Sequence, residues 1–166
     1  MPIIRDDQLD IISHSPEQTI RLGARLGKLL APGDIICLSG EMGAGKTVFA
    51  SGIGQGWGTL NAVTSPTFTV VHQHRRKGDS QRLHHLDLYR IQDEAEVDSI
   101  GWEDILDDNG PVILEWPEHI RDAIPTQHLW IAIRVIEVTR RNLLMEGVGK
   151  RYTHLLNQFR EQTFGV

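Results

Sequence analysis

The segment Gly40-Glu41-Met42-Gly43-Ala44-Gly45-Lys46-Thr47 has the spacing G-x-x-x-x-G-K-[ST]. It follows the apolar run Asp34-Ile35-Ile36-Cys37-Leu38-Ser39 and precedes Val48, Phe49 and Ile53, which recur at helical spacing. This strand, glycine loop and helix in succession form the context that a phosphate-wrapping loop demands. A polyphosphate needs several backbone N–H donors converging on it, and glycines let the chain fold closely enough to supply them. Gly40, Glu41, Met42, Gly43, Ala44 and Gly45 are therefore expected to cradle a nucleoside triphosphate. Lys46 adds a cation for the β- and γ-phosphates, and the Thr47 hydroxyl is placed to ligate Mg²⁺. A glycine-rich turn before an ordinary helix is the competing reading, and the flanking strand and helix patterns argue against it.

The chain's 166 residues suit one domain, 1–166, long enough to bury a core without staples. Its single cysteine, Cys37, lies inside the apolar run and reads as a small core hydrophobe. The first twenty residues lack an apolar stretch of signal-peptide length, and no run is long enough to span a membrane, so a cytoplasmic location is expected with no membrane partner. A formal charge of −5 gives no general attraction for nucleic acid, so direct DNA binding is not expected and any RNA would be held through a partner. The basic run His74-Arg75-Arg76-Lys77 reads as a solvated hairpin loop.

Ser15-Pro16-Glu17-Gln18 opens the first helix, with Ser15 as N-cap, Pro16 at the first helical position and Gln18 closing a capping box. After the glycine loop, Gly52, Gly54, Gly56 and Gly58 are expected to end the second helix through poor propensity. Residues 68–73 and 82–88 are strand-like and joined by a polar loop, which predicts a β-hairpin added to a parallel sheet. Asp93 to Ile100 reads as a short acidic helix, Pro111 to Leu114 as a second core strand, Leu129 to Val138 as a further strand and Tyr152 to Phe159 as a terminal helix.

Glu115 follows the core strand directly, and its position predicts a carboxylate that holds Mg²⁺ or polarises the attacking water; a solvated acid capping a helix that starts at Pro117 is the alternative. Alternation within His85-Leu86-Asp87-Leu88-Tyr89-Arg90 places His85, Asp87 and Tyr89 on one strand face, where Asp87 can join the metal site or serve as an ordinary strand-end acid. Thr64-Ser65-Pro66-Thr67 lies where switch segments occur, and its hydroxyls are candidates to sense the γ-phosphate; a plain proline turn is the alternative. Adjacent His84 and His85 should point to opposite faces, which speaks against a histidine metal site. Trp57, Trp102, Trp116 and Trp130 read as packing residues, and Trp116, beside Glu115, can also report on or cover the nucleotide.

Four ordered blocks, G-E-M-G-A-G-K-T, V-T-S-P-T-F at 63–68, H-L-D-L-Y-R at 85–90 and L-E-W-P-E at 114–118, resemble the TsaE (YjeE) family of bacterial ATPases. The resemblance spans Ser15 to about Glu118. It implies a P-loop α/β fold, here a mixed, mostly parallel sheet with flanking helices and the antiparallel hairpin. It also implies Lys46 on the phosphates, Thr47 and Glu115 at Mg²⁺, a switch over Thr64 to Phe68, and Asp87 and Trp116 close to ATP. Basic residues after the late strand approach the nucleotide in that family; Arg140 joins the binding set here, with Arg141 as its alternative. The family supports synthesis of threonylcarbamoyladenosine at position 37 of tRNA, docking on a TsaD–TsaB heterodimer and hydrolysing ATP to sustain turnover rather than transferring the threonylcarbamoyl group. No arginine is clearly placed as a finger in cis, so hydrolysis is expected to be weak alone and faster with a partner. A free-standing P-loop small-molecule kinase is the alternative. A GTP switch lacks support, since the N-K-x-D motif is absent.

Overall fold

The computed structural model describes residues 5–64 and 70–165. Its strands are β1 (Gln8–Ser13), β2 (Ile35–Ser39), β3 (Val71–Arg75), β4 (Arg82–Asp87), β5 (Val112–Glu115), β6 (His128–Val135) and β7 (Arg141–Val148). The helices are α1 (Pro16–Leu29), α2 (Lys46–Trp57), α3 (Trp102–Asp107) and α4 (Lys150–Phe164), with 3-10 segments at Glu94–Ile100 and Pro117–Ala123. The strands form one seven-stranded sheet in the order β1-β7-β6-β2-β5-β4-β3. The central pairs β6–β2, β2–β5 and β5–β4 are parallel, whereas β3 and β7 run against them. Because β1 is antiparallel to β7, it points with the central strands, so only β3 and β7 oppose the common direction. This is the P-loop α/β fold that the resemblance implies.

The central strand β2 is apolar along its length because both its faces are covered. Ile36 and Leu38 pack toward α1, α2 and α4, where Leu26, Phe49, Ile53, Leu155 and Phe159 fill one core. Ile35 and Cys37 face the other core, built from Leu86, Leu88, Leu114, Trp102, Ile105 and Ile120. Burial pushes the Cys37 thiol well above its usual range, in keeping with an inert core residue. At the far end of β2 from the loop, buried Asp34 accepts two bonds from Arg151, at 2.9 and 2.7 Å, and the Tyr152 hydroxyl accepts from the Ile35 N–H at 2.8 Å. These contacts tie α4 to the strand that presents the glycine loop.

Ser15 caps α1 by accepting the Gln18 N–H at 3.1 Å, while the Gln18 side chain reaches the His14 N–H at 2.7 Å, one residue earlier than a standard capping box. The expectation that these glycines end α2 holds only for the last of them: the helix runs through Gly52, Gly54 and Gly56 and stops at Gly58, which has φ 98°. The cause is tertiary. A Cβ on Gly52 would lie 2.3 Å from the Ile20 carbonyl oxygen, and one on Gly56 1.9 Å from that of Ala24. From the other side, Gly23 and Gly27 meet the carbonyls of Phe49 and Ile53 at 2.5 and 2.1 Å. The two helices approach until their backbones touch, and that contact outweighs poor glycine propensity.

The hairpin β3–β4 is antiparallel as expected, with His72 opposite His85. The predicted strand Leu129 to Val138 ends earlier, at Val135; Ile136 donates to the Arg140 carbonyl at 3.1 Å, and the chain turns into β7. Among the described residues, no helix is long and apolar enough to cross a membrane.

Candidate nucleotide site

The C-terminal ends of β2, β4 and β5 meet at one edge of the sheet. Leu38 and Asp87 both stand opposite Glu115 in the register, so the glycine loop and the two carboxylates open onto the same side. Within the loop, Gly43 and Gly45 have φ of 79° and 107°, backbone conformations that side chains rarely adopt. The Ala44 N–H closes a turn onto the Glu41 carbonyl at 3.0 Å. Gly45 is the N-cap of α2 and provides no side-chain cap, leaving first-turn N–H groups available to an anion at the positive end of the helix dipole.

Lys46 is 5% exposed, and its ammonium donates to the carbonyls of Gly40 at 2.6 Å and Glu41 at 2.8 Å. It also lies 4.2 Å from the centroid of the Trp116 ring. Burial lowers its pKa, and the nearby Glu115, Glu118 and Asp87 carboxylates oppose that shift by favouring the charged form. Thr47 begins the first turn beside it and donates its hydroxyl to Glu115 Oε1 at 3.0 Å. Glu115 is buried, and its other oxygen contacts His85 Nε2 at 2.5 Å. Asp87 is half-buried and accepts the Tyr89 N–H at 3.0 Å.

Trp116 closes the wall. Its φ of 61° is unusual for a large side chain and turns the indole back over the loop. Tyr89 stands 5.1 Å away and His119 5.7 Å away between ring centroids, and His119 Nδ1 contacts the Leu88 carbonyl oxygen at 2.7 Å. Together with Met42, Gly43, Gly45 and Val48, the residues Lys46, Thr47, Asp87, Tyr89, Glu115 and Trp116 line a cleft of ≈ 400 Å³. The donor set on its polar wall, a hydroxyl and two carboxylates, consists of hard oxygens suited to Mg²⁺.

The sequence-predicted residues thus converge, with two qualifications. Arg140 does not contact the loop: its guanidinium pairs with Glu137 at 3.3 Å on the surface. Arg141 touches the loop instead, donating to the Ala44 carbonyl from Nε at 2.8 Å and to the Glu137 carbonyl from Nη1 at 2.8 Å. Arg141 is the first residue of β7, whereas Arg140 lies in the turn before it. Thr64 is exposed, whereas Ser65, Pro66 and Thr67 lie outside the described residues. His85 and His119 had no assigned role at the site; for His85 the alternation that put it on the Asp87 face was the available signal.

Comparison with known proteins agrees with this geometry. The family described as "Threonylcarbamoyl adenosine biosynthesis protein TsaE" matches residues 13–143. The tRNA threonylcarbamoyladenosine biosynthesis protein TsaE of Bacillus subtilis (strain 168) is 32% identical over 144 residues, spanning 87% of this chain and 89% of its own. The protein of the same name from Streptomyces coelicolor is 38% identical over 136 residues, 79% of this chain and 91% of its own. The crystal structure of Bacillus subtilus YdiB superposes with a TM-score of 0.78 at 28% identity, over 94% of this chain and 96% of that one. With a nucleotide cleft built on the same P-loop scaffold and a match across most of its length, this chain belongs to the TsaE family.

Proposed function

We propose that this chain is the ATP-hydrolysing subunit of the bacterial machinery that makes N6-threonylcarbamoyladenosine at position 37 of tRNA, acting as one domain with a TsaD–TsaB heterodimer in the cytoplasm. The observation that carries the ATPase reading is the Thr47–Glu115 contact at the mouth of the glycine loop. A metal-ligating hydroxyl and a strand-end carboxylate meet there beside a buried lysine, which is the arrangement that nucleotide hydrolysis requires. The tRNA role is supported by the names of the relatives, and the −5 charge favours contact with tRNA through the complex rather than directly.

In this reading the loop N–H groups and the Lys46 ammonium hold the β- and γ-phosphates and fix their orientation. Thr47, Glu115 and Asp87 would hold Mg²⁺, which when bound neutralises charge on the phosphate oxygens. Glu115 orients the attacking water and accepts its proton, while Trp116 covers the nucleotide and excludes bulk solvent. Arg141 has Nε and Nη1 committed to backbone carbonyls, so it holds the loop rather than acting as a finger. Turnover by the lone chain is therefore slow, and a partner completes or orders the site. Depleting the protein in its host and measuring the modified nucleoside in tRNA tests the assignment: the modification disappears if it holds, and an unchanged level refutes it.

A further inference from the structure

The geometry points to His85 as the positioning residue that holds Glu115 for hydrolysis, a role that rests on the reading of Glu115 just given. His85 is fully buried on β4, on the strand face shared with Asp87, and its Nε2 lies 2.5 Å from Glu115 Oε2. Thr47 engages the other oxygen, Oε1, at 3.0 Å. Each oxygen thus has one short contact, His85 on Oε2 and Thr47 on Oε1, with the Thr47 hydroxyl also 3.4 Å from Oε2. As a metal ligand or base Glu115 is an acceptor, so this role assigns the proton to Nε2 and makes His85 the donor.

The two grips differ in kind. Thr47 is solvent-accessible within the cleft and has a second task as a candidate metal ligand, whereas the buried imidazole makes no other hydrogen bond among the described residues. Its second nitrogen, Nδ1, has no partner among the described residues. A buried nitrogen without a partner costs stability, and an apolar side chain would fill this position without that penalty. Packing does not account for a histidine here; a donor aimed at Glu115 does. The neighbouring His84 also leaves Nδ1 without a partner among the described residues, but its Nε2 pairs with Asp108 at 2.8 Å on the opposite face, so the direction of the bond, into the cleft, is what singles out His85. His85 therefore fixes the rotamer of Glu115 independently of whatever Thr47 binds, and it contributes to the rate without touching phosphate.

The test uses the full chain with its partner heterodimer and compares three variants. His85→Phe keeps the volume and removes the donor; His85→Gln places an amide N–H near the position of Nε2; His85→Asn reaches only as far as Nδ1. Turnover of Mg²⁺-ATP should fall roughly ten- to a hundredfold in the Phe and Asn variants and stay within about threefold of the parent in the Gln variant. The ATP dissociation constant, measured by calorimetry, should change by less than about threefold in all of them, because the phosphates are held elsewhere. In a Glu115→Ala background, His85→Phe should cause no further loss. Parent-like turnover in His85→Phe, a Gln variant as impaired as the Asn variant, or losses that add in the double variant would overturn the proposal. If the Phe variant does not fold, the contrast between Gln and Asn decides alone. Undiminished hydrolysis by Glu115→Ala itself would instead remove the reading of Glu115, and this proposal with it.

Discussion

Two glycines of the phosphate loop and the glycines of the α1–α2 contact occur in one chain for opposite reasons. Gly43 and Gly45 have positive φ and open space around them: a Cβ on Gly43 would meet nothing within 4 Å, and one on Gly45 only Arg141 Nε at 3.9 Å. Gly23, Gly27, Gly52 and Gly56 lie within regular helices, and a Cβ on any of them would collide with a facing carbonyl. Conformation selects glycine at Gly43 and Gly45, whereas proximity selects it in the helices and at Gly40, whose Cβ would lie 2.5 Å from the Ile133 carbonyl oxygen. Damage to the first region should therefore appear in nucleotide binding, and damage to the second in stability.

The largest effect belongs to the loop's cation. Lys46→Ala should weaken ATP binding roughly a hundredfold by titration calorimetry, the scale of losing charge-assisted bonds to phosphate. Next is Gly56→Ala, whose added methyl would sit 1.9 Å from the Ala24 carbonyl oxygen. It should destabilise the protein by about 2 kcal/mol in denaturant titration after a helix-propensity gain of about 1 kcal/mol, with ATP affinity retained in the folded fraction. Gly45→Ala should show the reverse division: a left-handed alanine costs about 1–2 kcal/mol, read as roughly tenfold weaker ATP binding as the loop relaxes away from its cradle. The smallest effect is expected for Ser15→Ala, which loses the α1 cap and about 1 kcal/mol of stability with no change in binding. The distinction between the regions breaks if Gly56→Ala weakens ATP binding as much as Gly45→Ala does.

The same contrast explains what was legible in the sequence. The glycine loop, Glu115 and Asp87 could be read because strand ends and local spacing determine where such residues point. The passage of α2 through its glycines could not, since its cause is a helix neighbouring in space. Strands β1 and β7 were also missed: Leu143, Leu144, Met145 and Glu146 favour helix intrinsically, and pairing with β6 overrides that preference. Arg141 replaced Arg140 on the loop because it is the first residue of β7, whereas Arg140 lies in the turn before it. The exposed tip explains the overlong strand prediction, as Ile136 and Val138 continue the apolar run yet are 48% and 91% exposed beyond the last paired residue.

On the function proposed above, this cleft hydrolyses ATP and a partner completes it. Steady-state Mg²⁺-ATP hydrolysis by the chain alone and with the TsaD–TsaB heterodimer tests this most directly, with Glu115→Ala as the control for contaminating ATPase. Expected are slow turnover alone, stimulation of about tenfold or more by the heterodimer, and loss of both in the variant. Fast turnover by the lone chain, or no stimulation while folded proteins and bound nucleotide are demonstrated, would contradict it.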